Sequence, residues 1–79
     1  MARIIDTEKK NLIGGNLKRL RAKAKMSQQD LSNKLELMGV YVCRGSVSRI
    51  EDYTRTVTDI VLFAIANVLE VEVKELYQG

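Results

Sequence analysis

Apolar residues in this chain recur at helical spacing, in blocks separated by polar breaks. Leu17, Leu20 and Ala24 repeat three to four residues apart with lysines and arginines between them, which predicts a first helix ending near Lys25. Gly14 and Gly15 predict an irregular start to it. Ser27 then reads as an N-cap, with Asp30 three residues on as a weaker form of the capping box. Leu31 and Leu35 face inward on this second helix, and Gly39 marks its stop. The connection from Met38 to Cys43 has no defined shape, because the alternation Val40-Tyr41-Val42 is too short for a strand. A third helix starts near Cys43 or Arg44, with Val47 and Ile50 inward and Glu51 beside them. Asp52 to Val57 is a loop. Thr58 and Asp59 cap a fourth helix, whose Ile60, Leu62, Ile65, Ala66 and Leu69 form the richest apolar surface of the chain. Val71, Val73 and Leu76 close a short fifth helix. Residues 1–10 lack helical periodicity and predict a loose N-terminal arm ahead of a single domain over 11–79.

Composition narrows the class. Seventy-nine residues, 46% of them hydrophobic, suffice for one small core and leave no room for a ligand-sensing domain. The absence of proline, the 5% aromatic content and the dominance of strong helix formers predict an all-α bundle, a compact five-helix one given the five periodic segments. No apolar run approaches the roughly 20 residues that span a bilayer. The start of the chain lacks the apolar stretch of a secretory signal. One cysteine makes no internal disulfide and fits a reducing cytoplasm. With no histidine and scattered carboxylates, neither a usual general base nor a metal cluster is available, so no enzyme, cofactor or metal is expected. Gly14-Gly15 near Lys18 lacks the spacing of a phosphate-binding P-loop.

Charge is graded along the chain. Residues 1–25 carry eight cations against two carboxylates, and residues 58–79 one against four. Such a basic front would orient the domain on a polyanion, although a solvated helix face has the same charge pattern. The start of the second helix offers unpaired N–H groups, with the Gln28 and Gln29 amides beside them, as a place for a phosphate. An ordinary capped surface helix reads the same way. On the third helix, Arg44 and Arg49 suit the O6/N7 edge of guanine. Gly45, Ser46 and Ser48 are short enough to bring the backbone near base edges. Two short helices joined by a tight connection, the second presenting cations and small polar groups, make the layout of a helix-turn-helix DNA reader. Arg21 and Glu51 sit among apolar neighbours, which suggests an ion pair joining helices 1 and 3. Cys43 falls at the cap of helix 3, where the helix end and Arg44 lower a thiol pKa. A partly buried, inert thiol is expected there, with a redox switch over DNA as the alternative. Tyr41 and Tyr53 flank helix 3 and either pack at the core edge or touch sugar-phosphate.

From Ile13 to Leu76 the chain resembles the Cro/repressor-type (XRE-like) helix-turn-helix family. The matching residues are Gly14, Asn16-Leu17-Lys18, Leu20-Arg21, Ser27 through Leu31, Ser46 through Glu51, Arg55, and Thr58-Asp59-Ile60 through Ala66 and Leu69. The resemblance implies a five-helix, lambda-repressor-like domain that binds double-stranded operator DNA as a homodimer on a palindromic site. It implies Arg44, Gly45, Ser46, Ser48 and Arg49 as base-reading positions. It implies phosphate contacts at Gln28, in the helix start with Ser27 and Gln29, and at Thr54 and Arg55. It also implies the Arg21–Glu51 pair. Four features depart from the pattern: Lys25 stands where a glycine is usual, Asp52-Tyr53 where Asn-Gly is frequent, and Ser32 where alanine is usual, while the link from helix 2 to helix 3 is about two residues longer.

The function expected is a sequence-specific transcription regulator, of the phage, mobile-element or restriction-controller type. Its reading helix is about 43–52. The alternative is a protein-interaction module of the same fold, such as an antitoxin or co-regulator, docking through Val71, Val73, Leu76 and Tyr77 with Ile4 and Ile5, although Val71 and Leu76 are rather expected to close the core.

Overall fold

The structure, a computed structural model, describes residues 8–78. Ile4, Ile5 and most of the expected arm lie outside them. Four α-helices follow in order: α1 (Gly14–Lys23), α2 (Gln28–Leu37), α3 (Arg44–Glu51) and α4 (Asp59–Leu69). The fifth helix expected from Val71, Val73 and Leu76 is instead a 3₁₀ turn, Val73–Leu76. Its four residues are too few to propagate an α-helix, and the Glu75 carboxylate closes back on the Glu72 N–H at 2.8 Å. Among the described residues no strand forms.

The core takes residues from every element. Ile13, Leu17 and Leu20 meet Leu31 and Leu35 of α2, Val47 and Ile50 of α3, Ala64, Ile65, Ala66 and Leu69 of α4, and Leu76 of the 3₁₀ turn. Each fully buried leucine or isoleucine contributes roughly 1.5–3 kcal/mol over its exposed state. The helix α2 packs on α3 and α4, while α1 packs on α3. The 3₁₀ turn closes against α4 and α1. Ile60 belongs to the apolar surface read from the sequence, yet it is 69% exposed, because the buried stripe of α4 runs through Ala64, Ile65, Ala66 and Leu69.

The start of α1 is regular where an irregular one was expected, and the helix ends two residues earlier, at Lys23. Asn11 organises the start: its Oδ1 accepts the N–H groups of Ile13 and Gly14 at 3.0 and 2.8 Å. Gly14 is buried, and a Cβ there would be driven into the carbonyl oxygen of Ile50. Only glycine lets α1 approach the end of α3 this closely.

All four helices stop in the same way. A residue in the left-handed region follows each, at Lys25 (φ 59°), Gly39 (φ 82°), Tyr53 (φ 64°) and Glu70 (φ 57°). At each stop the left-handed residue and its successor donate N–H bonds back to the last turn, as with Tyr53 to Ile50 and Thr54 to Arg49 after α3. This is the Schellman arrangement, which glycine adopts freely and other L-residues at a cost of roughly 1–2 kcal/mol. Lys25 and Tyr53 occupy two of the places where the resemblance puts glycine. The backbone takes the glycine conformation at both.

Candidate nucleic-acid interface

The helix α3 divides cleanly around its axis. At 3.6 residues per turn, Val47, Ile50 and Glu51 share the inner side, and Gly45 and Arg49 form the outer crest. Arg44 and Ser48 flank that crest on one side and Ser46 on the other. Arg44, Gly45 and Arg49 are exposed, and Ser46 and Ser48 are half-buried. Among the described residues neither arginine has an ion pair. A Cβ placed on Gly45 would meet Nη1 of Arg49 at 3.7 Å, an ordinary contact. Nothing within the described protein therefore demands glycine there, although glycine in a helix costs roughly 0.5–1 kcal/mol relative to alanine.

The inner side is locked by charge as well as packing. Nε and Nη2 of Arg21 donate to the two oxygens of Glu51 at 2.7 and 3.0 Å, while Nη1 donates to the Met26 carbonyl at 2.8 Å. Gln28 Nε2 adds a bond to Glu51 Oε1 at 3.1 Å. The Glu51 side chain is 3% exposed, so three donors from α1 and α2 hold a buried carboxylate on α3. Its hydrogen bonds and charge raise the Arg21 pKa above its already high ordinary value, and burial opposes them.

At the start of α2 the full capping box forms. Ser27 Oγ accepts the Asp30 N–H and Asp30 Oδ2 accepts the Ser27 N–H, both at 2.9 Å. The Ser27 amide and hydroxyl bonds hold the Asp30 carboxyl below the usual range. The cap leaves the N–H groups of Gln28 and Gln29 without a partner inside the helix, at its positive end. Their side chains are engaged, Gln28 with Glu51 and Gln29 with Asn33. Because Gln28 reaches Glu51, the start of α2 lies against the end of α3, where Thr54 and Arg55 follow. The Thr54 hydroxyl donates to the Arg49 carbonyl at 3.1 Å. Arg55 is half-buried, and its Nη1 is enclosed without a partner. The phosphate candidates thus gather at one end of α3, and Arg44 stands at the other.

Cys43 is exposed, not partly buried. The connection before α3 swings its side chain out while Val42 goes in. The thiol pKa is lowered chiefly by the Ser46 hydroxyl, 3.4 Å from Sγ, with the amides of Ser46 and Gly45 and the charge of Arg49 adding to it. Tyr41 is 79% exposed beside it. Tyr53 is half-buried at the other end of α3 and binds the segment before α1. Sequence reasoning left Lys9 and Lys10 in a loose arm over 1–10 and gave Asn11, the first residue of the domain, no role. The signal was present in Asn11, a residue able to cap a helix, three positions ahead of a glycine.

A helix-turn-helix with a braced back and an open cationic front is the architecture built by these elements. The family model described as Helix-turn-helix matches residues 17–76. The restriction-modification controller protein C.AhdI from Aeromonas hydrophila is similar over 81% of this chain and 86% of its own, with 30% identity and a TM-score of 0.68. The DNA-binding domain of BldD shares the fold over 91% of this chain and 97% of its own, with 24% identity and a TM-score of 0.70. No curated protein matches the sequence. The chain belongs to the Cro/repressor-type (XRE) helix-turn-helix family. Among the described residues no helix is long and apolar enough to cross a membrane.

Proposed function

We propose that this DNA-binding transcription regulator reads duplex DNA through α3 lying in the major groove. Arg44, Gly45, Ser46, Ser48 and Arg49 face base edges. The observation that carries this reading is the division of α3: two arginines without an ion pair among the described residues on the exposed side, with a glycine that no internal contact requires, backed by a buried Glu51 held by Arg21. Arginine can grip guanine O6 and N7 with two hydrogen bonds, and the missing side chain at Gly45 leaves room for a base pair. The open N–H groups of Gln28 and Gln29 take one backbone phosphate beside Ser27, while their side chains stay on Glu51 and Asn33. The loop holding Thr54 and Arg55 follows the neighbouring strand.

The regulator acts as a homodimer on a palindromic operator. A shallow apolar groove of ≈ 500 Å³ on α4, lined by Asp59, Ile60, Leu62, Phe63 and Val73, is the surface a second copy would cover. Ile60 and Phe63 are 69% and 65% exposed there, more than a lone small domain gains from. A role as a restriction-modification controller is favoured by likeness to C.AhdI, itself described as such a controller.

The test is a mobility-shift titration of DNA from upstream of the chain's own gene, at low salt, using folded protein of known mass in solution. Specific retardation by a dimer is expected, with affinity falling steeply as salt rises. Absence of retardation from a folded dimer would defeat this reading.

A further inference from the structure

The segment just before α1 and the first turn of α1 are fastened to the end of α3 through Tyr53. Tyr53 accepts the Lys10 N–H on its backbone carbonyl at 2.9 Å and the Gly15 N–H on its hydroxyl at 2.8 Å. The Lys9 ammonium stands 4.4 Å from the centre of its ring. Asn11 adds a second fastening, donating from Nδ2 to the carbonyls of Ile50 and Arg55 at 3.0 and 2.9 Å. Residues 9–15 therefore run along the loop that follows α3, and Lys9 and Lys10 are both exposed.

That placement changes which groups front this edge. The Thr54 hydroxyl is engaged with the end of α3, and one Arg55 nitrogen is enclosed. Among the described residues the exposed lysines on the segment beside the loop are Lys9, its ammonium over the Tyr53 ring, and Lys10. A lysine on a loose arm must be ordered when it meets a phosphate, whereas these two hang from backbone that is already fixed. A tyrosine at a left-handed position is otherwise hard to explain, since glycine fits there without strain. Its ring, hydroxyl and carbonyl each bind the same short segment. A solvated pair of lysines would need none of this.

We propose that Lys9 and Lys10 contact the DNA phosphate backbone beside the α3–α4 loop, and that Tyr53 is the residue that positions them. This rests on the reading that α3 enters the major groove with the loop along a strand. The sites are generic phosphate contacts, so they set affinity and register and leave base preference to α3.

The salt dependence of DNA binding tests it. Each phosphate contact adds about 0.9 to the slope of log Kobs against log salt. Lys9→Ala with Lys10→Ala should lower that slope by about 1.8, and weaken operator and unrelated DNA by the same factor. Lys9→Arg with Lys10→Arg should restore it. Tyr53→Gly suits the local backbone, and a melting curve checks that the fold persists. It should still lower the slope, by less than the double alanine variant, because the ring beside Lys9 and the hydroxyl on Gly15 are lost while the carbonyl bond to Lys10 and the Asn11 bonds remain. Lys74→Ala, far along the chain in its acidic third, should leave the slope unchanged. If wild-type protein binds DNA and the double alanine variant keeps its slope, the contacts do not exist. If only Tyr53→Gly keeps the slope, the lysines act without Tyr53 and its positioning role is overturned. Failure of the wild type to bind any DNA would instead defeat the parent reading of function.

Discussion

The two sides of α3 are built on opposite terms. On the inner side Val47 and Ile50 are buried to 1% exposure and Glu51 accepts three hydrogen bonds from two other helices. On the outer side Arg44 and Arg49 hold no ion pair among the described residues, and Gly45 offers no side chain at all. Eight residues thus separate stability from recognition within two turns of helix. A rigid back lets an unpaired front meet its ligand without first being ordered, which is what keeps binding from losing affinity to reorganisation. It follows that substitutions on the two sides should fail in different assays.

The inner side gives the largest effect. Glu51→Gln keeps the shape and removes the buried charge, leaving the half-buried Arg21 guanidinium without its counter-ion. Losing one partner of a buried pair typically costs about 3–5 kcal/mol. For a chain of this length that lowers the melting midpoint by well over ten degrees, since each kcal/mol shifts it by roughly 4–8 °C. Replacing both partners, Arg21→Met with Glu51→Leu, should recover most of the loss, because the unpaired charge and not the missing attraction is what destabilises. Thermal melts followed by circular dichroism decide it. An unchanged midpoint in Glu51→Gln would mean that the inner side is held by apolar packing alone, and the contrast between the two sides would lose its electrostatic half.

Arg44→Ala probes the outer side and should reverse the pattern. Its melting midpoint should stay within what a surface substitution gives, about 0.5 kcal/mol. Its operator affinity should fall by about 1–3 kcal/mol, with the loss concentrated at one base position. Binding to a panel of single-base operator variants separates base reading from a general charge effect. Equal weakening on every sequence would move Arg44 to the phosphate contacts and leave Arg49 as the arginine that reads.

How far these two sides were legible differs, for physical reasons. Val47, Ile50 and Glu51 fall at helical spacing, and a charge held in an apolar register has few ways to be satisfied, so Arg21 pointed to it. The caps of α2 and α4 at Ser27 and Thr58 were legible because hydroxyl capping is a local rule. The start of α1 was not. Its regularity depends on Asn11 and on the close approach of Gly14 to Ile50, which joins segments far apart in sequence. The left-handed stops at Lys25, Tyr53 and Glu70 were hidden because none is glycine. Tyr53 shows why the conformation survives: its contacts with residues 9–15 offset the strain. The last helix shrank to a 3₁₀ turn because periodicity in so few residues does not distinguish the two.

The smallest effect is also the most direct probe of the open side. Cys43 is exposed at the foot of α3 and its thiol pKa is lowered, first by the Ser46 hydroxyl. The lowered value means that the thiolate forms at lower pH than on an unstructured peptide. Alkylation by iodoacetamide should therefore rise with pH along a curve displaced toward acid, because the thiolate is the reacting form. The linked contribution to folding has the matching sign: it is present above the ordinary thiol pKa and is lost as pH falls through the folded one. Ser46→Ala should move the curve back toward that of a model peptide without altering the melt. Bound operator should slow the reaction at every pH, both by covering Sγ and because phosphates next to a thiolate disfavour its charge. Labelling rates measured by mass spectrometry, with and without DNA, report on this one atom. Protection that fails to appear at saturating operator would place Cys43, and the start of α3 with it, outside the DNA-facing surface, and the outer side would then need a different ligand.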